Sequence, residues 1–279
     1  MLIDQARSQL PLSRQRLALS LATALGCSLS SMWALAEPSD TSAMMDRLPY
    51  VHERSAAVGS RPTSPHAGAI HTVDTCADDG SPNSLRSLIE LSPDVHSGDT
   101  IDLTQLPMMC SKITLSNTFA DGPISVTQDT LYLQGPGADQ LTIDANGYSS
   151  VFRHYGYGTL QIENLTITNG YHKTAGPPQP LPSGGCIFST GSVVLISSVV
   201  SHCEAVSISD QHDASGGAIY AQQDLRLYFS SVEESNATAT LHGASGGGAT
   251  VLGSFTASYS TVSGNSATRS EERRVGKEC

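Results

Sequence analysis

One pattern of side chains is written three times between Gly184 and Ala267, and no copy contains an internal gap. Glycine pairs open the copies at Gly184-Gly185, Gly216-Gly217 and Gly246-Gly247. Nine positions on stand Val193, Leu225 and Phe255, and eleven on stand Leu195, Leu227 and Ala257. Ser198, Ser230 and Ser260 follow at fourteen, Val200, Val232 and Val262 at sixteen, and Ala205, Ala237 and Ala267 at twenty-one. The copies begin 32 and 30 residues apart, with the difference confined to the segments between them, so the chain is a repeat array with variable loops.

Offsets nine and eleven are apolar, around Arg226 and Thr256 in two of the copies, and the recurring residues at fourteen and sixteen again stand two apart, which is the period of a strand and excludes a helix. The step from eleven to fourteen is odd. An unbroken strand would turn the second pair to the opposite face, so the chain bends there. Short strand, corner, short strand and glycine corner, repeated, describe an all-β fold: a parallel β-helix whose coils stack at about 4.8 Å. Its hand is expected to be right, as for nearly all parallel crossovers. The serines at fourteen form an internal column whose hydroxyls bond to one another or to carbonyls, because buried polar groups are paired.

Upstream, residues 1–36 carry Arg7, Arg14 and Arg16, the apolar run Leu17 to Leu25, and Ala34-Leu35-Ala36. That order reads as a secretory signal peptide, with an apolar run too short for a permanent span. Residues 37–69 do not repeat and hold Pro38, Pro49, Pro62 and Pro65, the mark of a flexible spacer. Order is expected from Ile70. Asn83 or Ser84 can cap a short helix with Leu85, Leu88 and Ile89 on one face, suited to covering the open end of the first coil. The domains are therefore 1–36 leader, 37–69 spacer, 70–112 cap and first rung, 113–268 coils, and 269–279 tail. The chain carries a net charge of -11 with 26 acidic residues, and removing the basic leader makes it more acidic still. Such a surface argues against nucleic acid and anionic membrane as partners.

The run Thr75-Cys76-Ala77-Asp78-Asp79-Gly80, with Ser84 to Ile89 and Gly98-Asp99-Thr100-Ile101-Asp102-Leu103, resembles the N-terminal cap of exported bacterial right-handed β-helix proteins of the pectin-lyase-like superfold. Leu133 to Ala138, Leu141 to Asp144 and Leu165 to Gly170 support the likeness. The Gly-Gly-Ala-Ile-Tyr unit at Gly216 to Tyr220 resembles repeats of polymorphic outer-membrane proteins and autotransporter passengers. The resemblance covers about residues 70–267. It implies export to the extracellular space or outer-membrane surface of a Gram-negative bacterium, with membrane association only through a C-terminal anchor or barrel outside this chain. One fold of this kind hosts lyases, hydrolases and adhesins alike.

Before the array, Ile113 and Leu115, Ile124 and Val126, Leu131 and Leu133, Leu141 and Ile143, and Leu160 and Ile162 also alternate. The offset-nine column runs back from Phe255 through Leu225 and Val193 to Leu160 and Leu131, so five to six coils are expected. No Cys-x-x-Cys spacing occurs. Cys76 with Cys110 and Cys186 with Cys203 are the expected disulfides, the first tying the cap loop to the first rung.

No catalytic constellation stands out. Asp78-Asp79 and Asp144 with Asn146 are the acidic groups closest to a Ca2+ site, though turns use the same residues, and no cofactor is expected. Glu233 and Glu234 are chain neighbours pointing apart, which is not a glycosidase pair. The most suggestive column is offset eighteen, where His202 stacks on Glu234 and then Gly264, with Glu204 nearby. The inter-repeat loops add Asp210, His212 and Asp213, and beside them His242, on the face where repeat scaffolds bind. Tyr155, Tyr157, Tyr171 and His172 offer ring faces. The resulting expectation is an adhesin-like or passenger-like scaffold, non-enzymatic in this portion, presenting loops to polysaccharide or cell-surface ligands. The alternative is a polysaccharide lyase or glycoside hydrolase whose active residues lie partly outside this chain. The charged stretch 269–279 has no Gly-Gly opener and resembles a non-native read-through end, from which the natural protein is expected to continue into further coils.

Overall fold

The computed structural model describes residues 68–116, 122–174, 184–208, 212–240 and 242–269. The expected leader, nearly all of the spacer and the tail beyond Arg269 lie outside them, as does Asp210. Within them the chain winds into a parallel β-solenoid of about six turns. One sheet stacks seven strands: Ile70–Thr72, Asp99–Asp102, Leu131–Gln134, Thr159–Glu163, Ser192–Ile196, Leu225–Tyr228 and Phe255–Ser258. A second stacks six, from Lys112–Thr114 through Thr142–Asp144, Thr166–Thr168, Val199–Ser201 and Ser231–Glu233 to Thr261–Ser263. A third runs from Ile124–Val126 through Phe152–His154, Ile187–Ser189 and Ile219–Ala221 to Ala249–Val251. The fourth holds Tyr171–Thr174, Glu204–Ser207, Asn236–Ala239 and Ser266–Arg269, and Ala214–Ser215 pairs Ala244–Ser245 beside it.

The columns read from the sequence are the register of these sheets. Leu131, Leu160, Val193, Leu225 and Phe255 are successive Cα partners, as are Ile113, Ile143, Ile167, Val200, Val232 and Val262. All except the last of each column are essentially solvent-free, and they form one continuous core. Complete burial of one such aliphatic side chain stabilises by about 1.5–3 kcal/mol, so the stacked columns dominate the fold.

The odd step becomes a corner. Asn164, Ser197, Phe229 and Tyr259 occupy it in successive coils with φ between 48° and 55°, the left-handed conformation that turns a strand sharply. The glycine pair is two separate requirements. Gly216 has φ 63°, whereas a methyl on Gly217 would fall on the carbonyl oxygen of Gly247 in the next coil. The first glycine bends the backbone and the second admits the neighbouring coil.

The serine column is buried, but its bonding differs from a hydroxyl-to-hydroxyl ladder. Ser230 Oγ accepts the Ser198 N–H at 3.1 Å and donates to the Tyr228 carbonyl at 2.8 Å, and Ser260 Oγ serves the Ser230 N–H in the same way. Each hydroxyl thus satisfies a corner amide that no strand partner reaches. A second ladder, not anticipated from the sequence, runs at offset nineteen. There the Cys203 N–H donates to Ser235 Oγ and the Ser235 N–H to Asn265 Oδ1, at 3.2 and 3.0 Å.

At the N-terminal end the expected helix is a short turn, assigned as π-helix over Ser87–Leu91. The Ser84 hydroxyl accepts the Ser87 N–H at 3.3 Å, and Leu85, Leu88 and Ile89 are buried in the core. The widened turn follows from the Ser92 N–H donating to the Ser87 carbonyl, an i to i−5 bond. Cys76 and Cys110 lie 5.8 Å apart between Cα atoms, and Cys186 and Cys203 5.4 Å apart, so both expected pairs stand at disulfide distance.

Candidate functional site

The corner between the second and fourth sheets is built by Asn169, His202, Glu234 and Gly264, with φ of 55°, 54°, 47° and 65°. The backbone therefore explains why the third repeat carries glycine and an earlier coil asparagine, the residues that adopt this conformation most readily. His202 and Glu234 occupy it at a cost in strain, and their side chains stand in solvent above it. His202 Nε2 lies 2.7 Å from Glu234 Oε2, both side chains more than half exposed.

Beside this corner a shallow cleft of about 310 Å³ opens, lined by Asn146, Gly147, Asn169, Gly170, Tyr171, His202 and Glu204. Strand stacking produces it. Tyr171 and Glu204 are Cα partners in adjacent coils, at the first positions of their strands, so both flank the corner. Asn146 enters from the coil before, held by the Asp144 carboxylate, whose Oδ1 accepts the Asn146 N–H at 2.8 Å and Asn169 Nδ2 at 3.0 Å. Burial pushes the Asp144 carboxyl upward. The bonds from Asn169 and Asn146, with Lys112 Nζ at 3.2 Å, outweigh that and hold it below its usual range. Tyr171 is shifted the other way: partial burial and then the Glu204 charge both disfavour its phenolate, so it remains a neutral donor and acceptor.

Of the residues expected to form a site, His202 and Glu204 meet in this cleft, and Glu234 is joined to it through His202. Tyr171 lines it too. His212, Asp213 and His242 form a separate cluster beyond the far end of strand Glu204–Ser207, which spans roughly 13 Å at strand rise. There Asp213 Oδ1 accepts the Gly243 N–H at 2.6 Å and lies 3.6 Å from His242 Nδ1, and Ser207 Oγ donates to the His212 carbonyl at 2.6 Å. Tyr155 and Tyr157 lie elsewhere, Tyr155 with its ring 6.3 Å from Phe188 on the third sheet, while His172 is in register with Ala205.

Of the acidic groups considered for Ca2+, Asp78 and Asp144 are engaged inside the fold, whereas Asp79 is exposed and its Oδ1 accepts the neighbouring Ser81 N–H at 3.0 Å. Asp78 takes both ends of the Arg86 guanidinium at 2.8 Å and the Ser116 N–H at 2.7 Å. Among the described residues no group of three or more His, Cys, Asp or Glu side chains is placed to hold a metal ion. Sequence reasoning named Asn146 only beside Asp144, as a turn or Ca2+ candidate, and did not single out Asn169 for a site. The available signal was an asparagine just after a short strand at each of these two positions, where a left-handed corner continues the coil.

The cleft offers amide donors and acceptors, a phenol, an imidazole and a carboxylate around an open, polar depression. That is hydrogen-bonding chemistry suited to a hydroxylated ligand. No family model matches this chain, and neither a curated protein nor a solved structure matches it significantly.

Proposed function

We propose that this chain is an exported, surface-displayed β-solenoid that binds glycans or glycan-bearing cell surfaces through the cleft at the His202 corner. The observation that carries the reading is the convergence of Asn146, Asn169, Tyr171, His202 and Glu204, drawn from three successive coils, on one polar depression. A sugar presents hydroxyls in pairs and one apolar ring face, which amides, a carboxylate and a tyrosine ring recognise together. Two cysteine pairs at disulfide distance support an oxidising compartment. The kinship with exported bacterial pectin-lyase-like and passenger repeats belongs to the same proposal and rests on the cap and Gly-Gly motifs.

The test is a glycan array probed with the full chain, followed by calorimetric titration of the best hits. Binding that His202→Ala and Glu204→Gln each weaken at least tenfold, with the circular dichroism unchanged, is expected. No hit on the array, or hits that both variants bind as tightly as the parent chain, would overturn the reading.

A further inference from the structure

The His202 cleft is closed to anions by its own backbone. Anion sites are built from free backbone N–H groups or from cationic side chains. Here every N–H of the lining is engaged inside the solenoid. Asn146 donates to Asp144 Oδ1 at 2.8 Å, Gly147 to the Asn169 carbonyl at 2.8 Å and Gly170 to Cys186 Sγ at 3.2 Å. Tyr171 donates to the Ser149 carbonyl and Glu204 to the Gly170 carbonyl, both at 2.8 Å. Asn169 and His202 donate to the Ser201 and Glu233 carbonyls of the next coil, at 3.4 and 3.3 Å.

Charge points the same way. The lining holds one carboxylate, that of half-buried Glu204, and no lysine or arginine. His202 is turned to Glu234 Oε2 at 2.7 Å, and Lys112 to Asp144 Oδ2 at 3.2 Å. Lys173 follows Tyr171 on the same strand but stands in register with Val206, about 7 Å further along. The Glu204 carboxylate makes no hydrogen bond or ion pair among the described residues. Its charge reaches the Tyr171 phenol, whose ionisation burial first and Glu204 second disfavour. Asn169 gives an Nδ2 hydrogen to Asp144 Oδ1, which leaves its own Oδ1 as a further acceptor. The cleft is therefore rich in acceptors and poor in donors.

We propose that the cleft takes an amine-bearing sugar, a hexosamine with a free ammonium, in preference to N-acetylated, neutral or acidic sugars. This rests on the glycan-binding reading and narrows it. An ammonium carries three donors and no acceptor. Those donors match the Glu204 carboxylate, the Tyr171 phenolic oxygen and Asn169 Oδ1, with Glu204 giving the charge-assisted bond. N-acetylation removes the charge and adds a carbonyl for which the backbone has no donor. A carboxylated sugar meets Glu204 as a like charge, a contact that discriminates against it.

Calorimetric titration of the full chain tests this, using glucosamine oligosaccharides, their N-acetylated counterparts and galacturonate oligosaccharides of equal length. Spermidine serves as a cation without a sugar ring, and salt is present to screen general attraction to an acidic chain. The glucosamine form should bind at least tenfold more tightly than each of the others. Glu204→Gln should abolish that preference with the circular dichroism unchanged, and Asp94→Asn, which removes an exposed carboxylate elsewhere, should preserve it. N-acetylated or galacturonate forms bound as tightly, with His202→Ala weakening them, would overturn the inference and leave the glycan reading standing. Failure of every oligosaccharide to bind would end both. Spermidine bound as tightly as the glucosamine form, a preference that survives Glu204→Gln, or an equal loss in Asp94→Asn would each overturn the inference.

Discussion

Replacing Ser230 with alanine isolates what the internal serine ladder contributes. Ser230 is 4% exposed and Ser198 1%, so water does not reach the bond between the Ser198 N–H and Ser230 Oγ. Alanine removes that acceptor and leaves one buried N–H without a partner. The Tyr228 carbonyl, which loses the Ser230 hydroxyl, keeps the Ser197 N–H at 2.9 Å and is not orphaned. One unsatisfied buried donor costs about 1–3 kcal/mol. Taking about 2 kcal/mol for an ordered region of this size, the thermal midpoint should fall by about 4–8 °C. Ser231→Ala, on the next strand with no side-chain hydrogen bond in the ladder, is the control and should change stability by less than about 0.5 kcal/mol. Urea unfolding gives the global number, and native-state hydrogen exchange at the Ser198 amide locates the loss. Equal effects of Ser230→Ala and Ser231→Ala, or an unchanged Ser198 exchange rate, would refute the reasoning.

Glu234→Asn should be neutral or stabilising by up to about 1 kcal/mol, because left-handed backbone costs a non-glycine residue roughly 1–2 kcal/mol and the exposed pair with His202 returns at most about 1 kcal/mol. A clear loss of stability on denaturant titration would show that the pair, not the corner, governs this position. A third expectation concerns pH. His154 is buried, with Nδ1 2.7 Å from Ser189 Oγ and Nε2 3.0 Å from the Asp129 carbonyl, and burial holds its imidazole below the usual pKa against the carbonyls that favour the charged form. The unfolded chain then takes up the proton first, so stability should fall as pH drops below about 6.5, by at most about 1.4 kcal/mol per pH unit. His154→Gln should flatten that slope, and a parent chain equally stable at about pH 7 and about pH 5.5 would remove the basis for it.

The sequence by itself determined the solenoid and its columns, and it supplied the two cysteine pairings as an expectation that the structure bears out at disulfide distance. A period of two assigns each side chain to the inside or outside of a strand, and parallel stacking places equal offsets directly above one another. Val193, Leu225 and Phe255 could be aligned without coordinates for that reason. The odd step between offsets eleven and fourteen even located a corner. Only the tertiary structure decided how the corners are made and what they bring together. The left-handed backbone at His202 and Glu234 is imposed by coil closure against the usual preference of those residues, so nothing in their identity announces it. The cleft joins Asn146, Asn169, Tyr171, His202 and Glu204 because successive coils of unequal length return to one edge. The variable segments that set those lengths carry no periodic signal, and the distance between side chains on neighbouring coils is fixed by strand pairing, a long-range contact that no local pattern encodes.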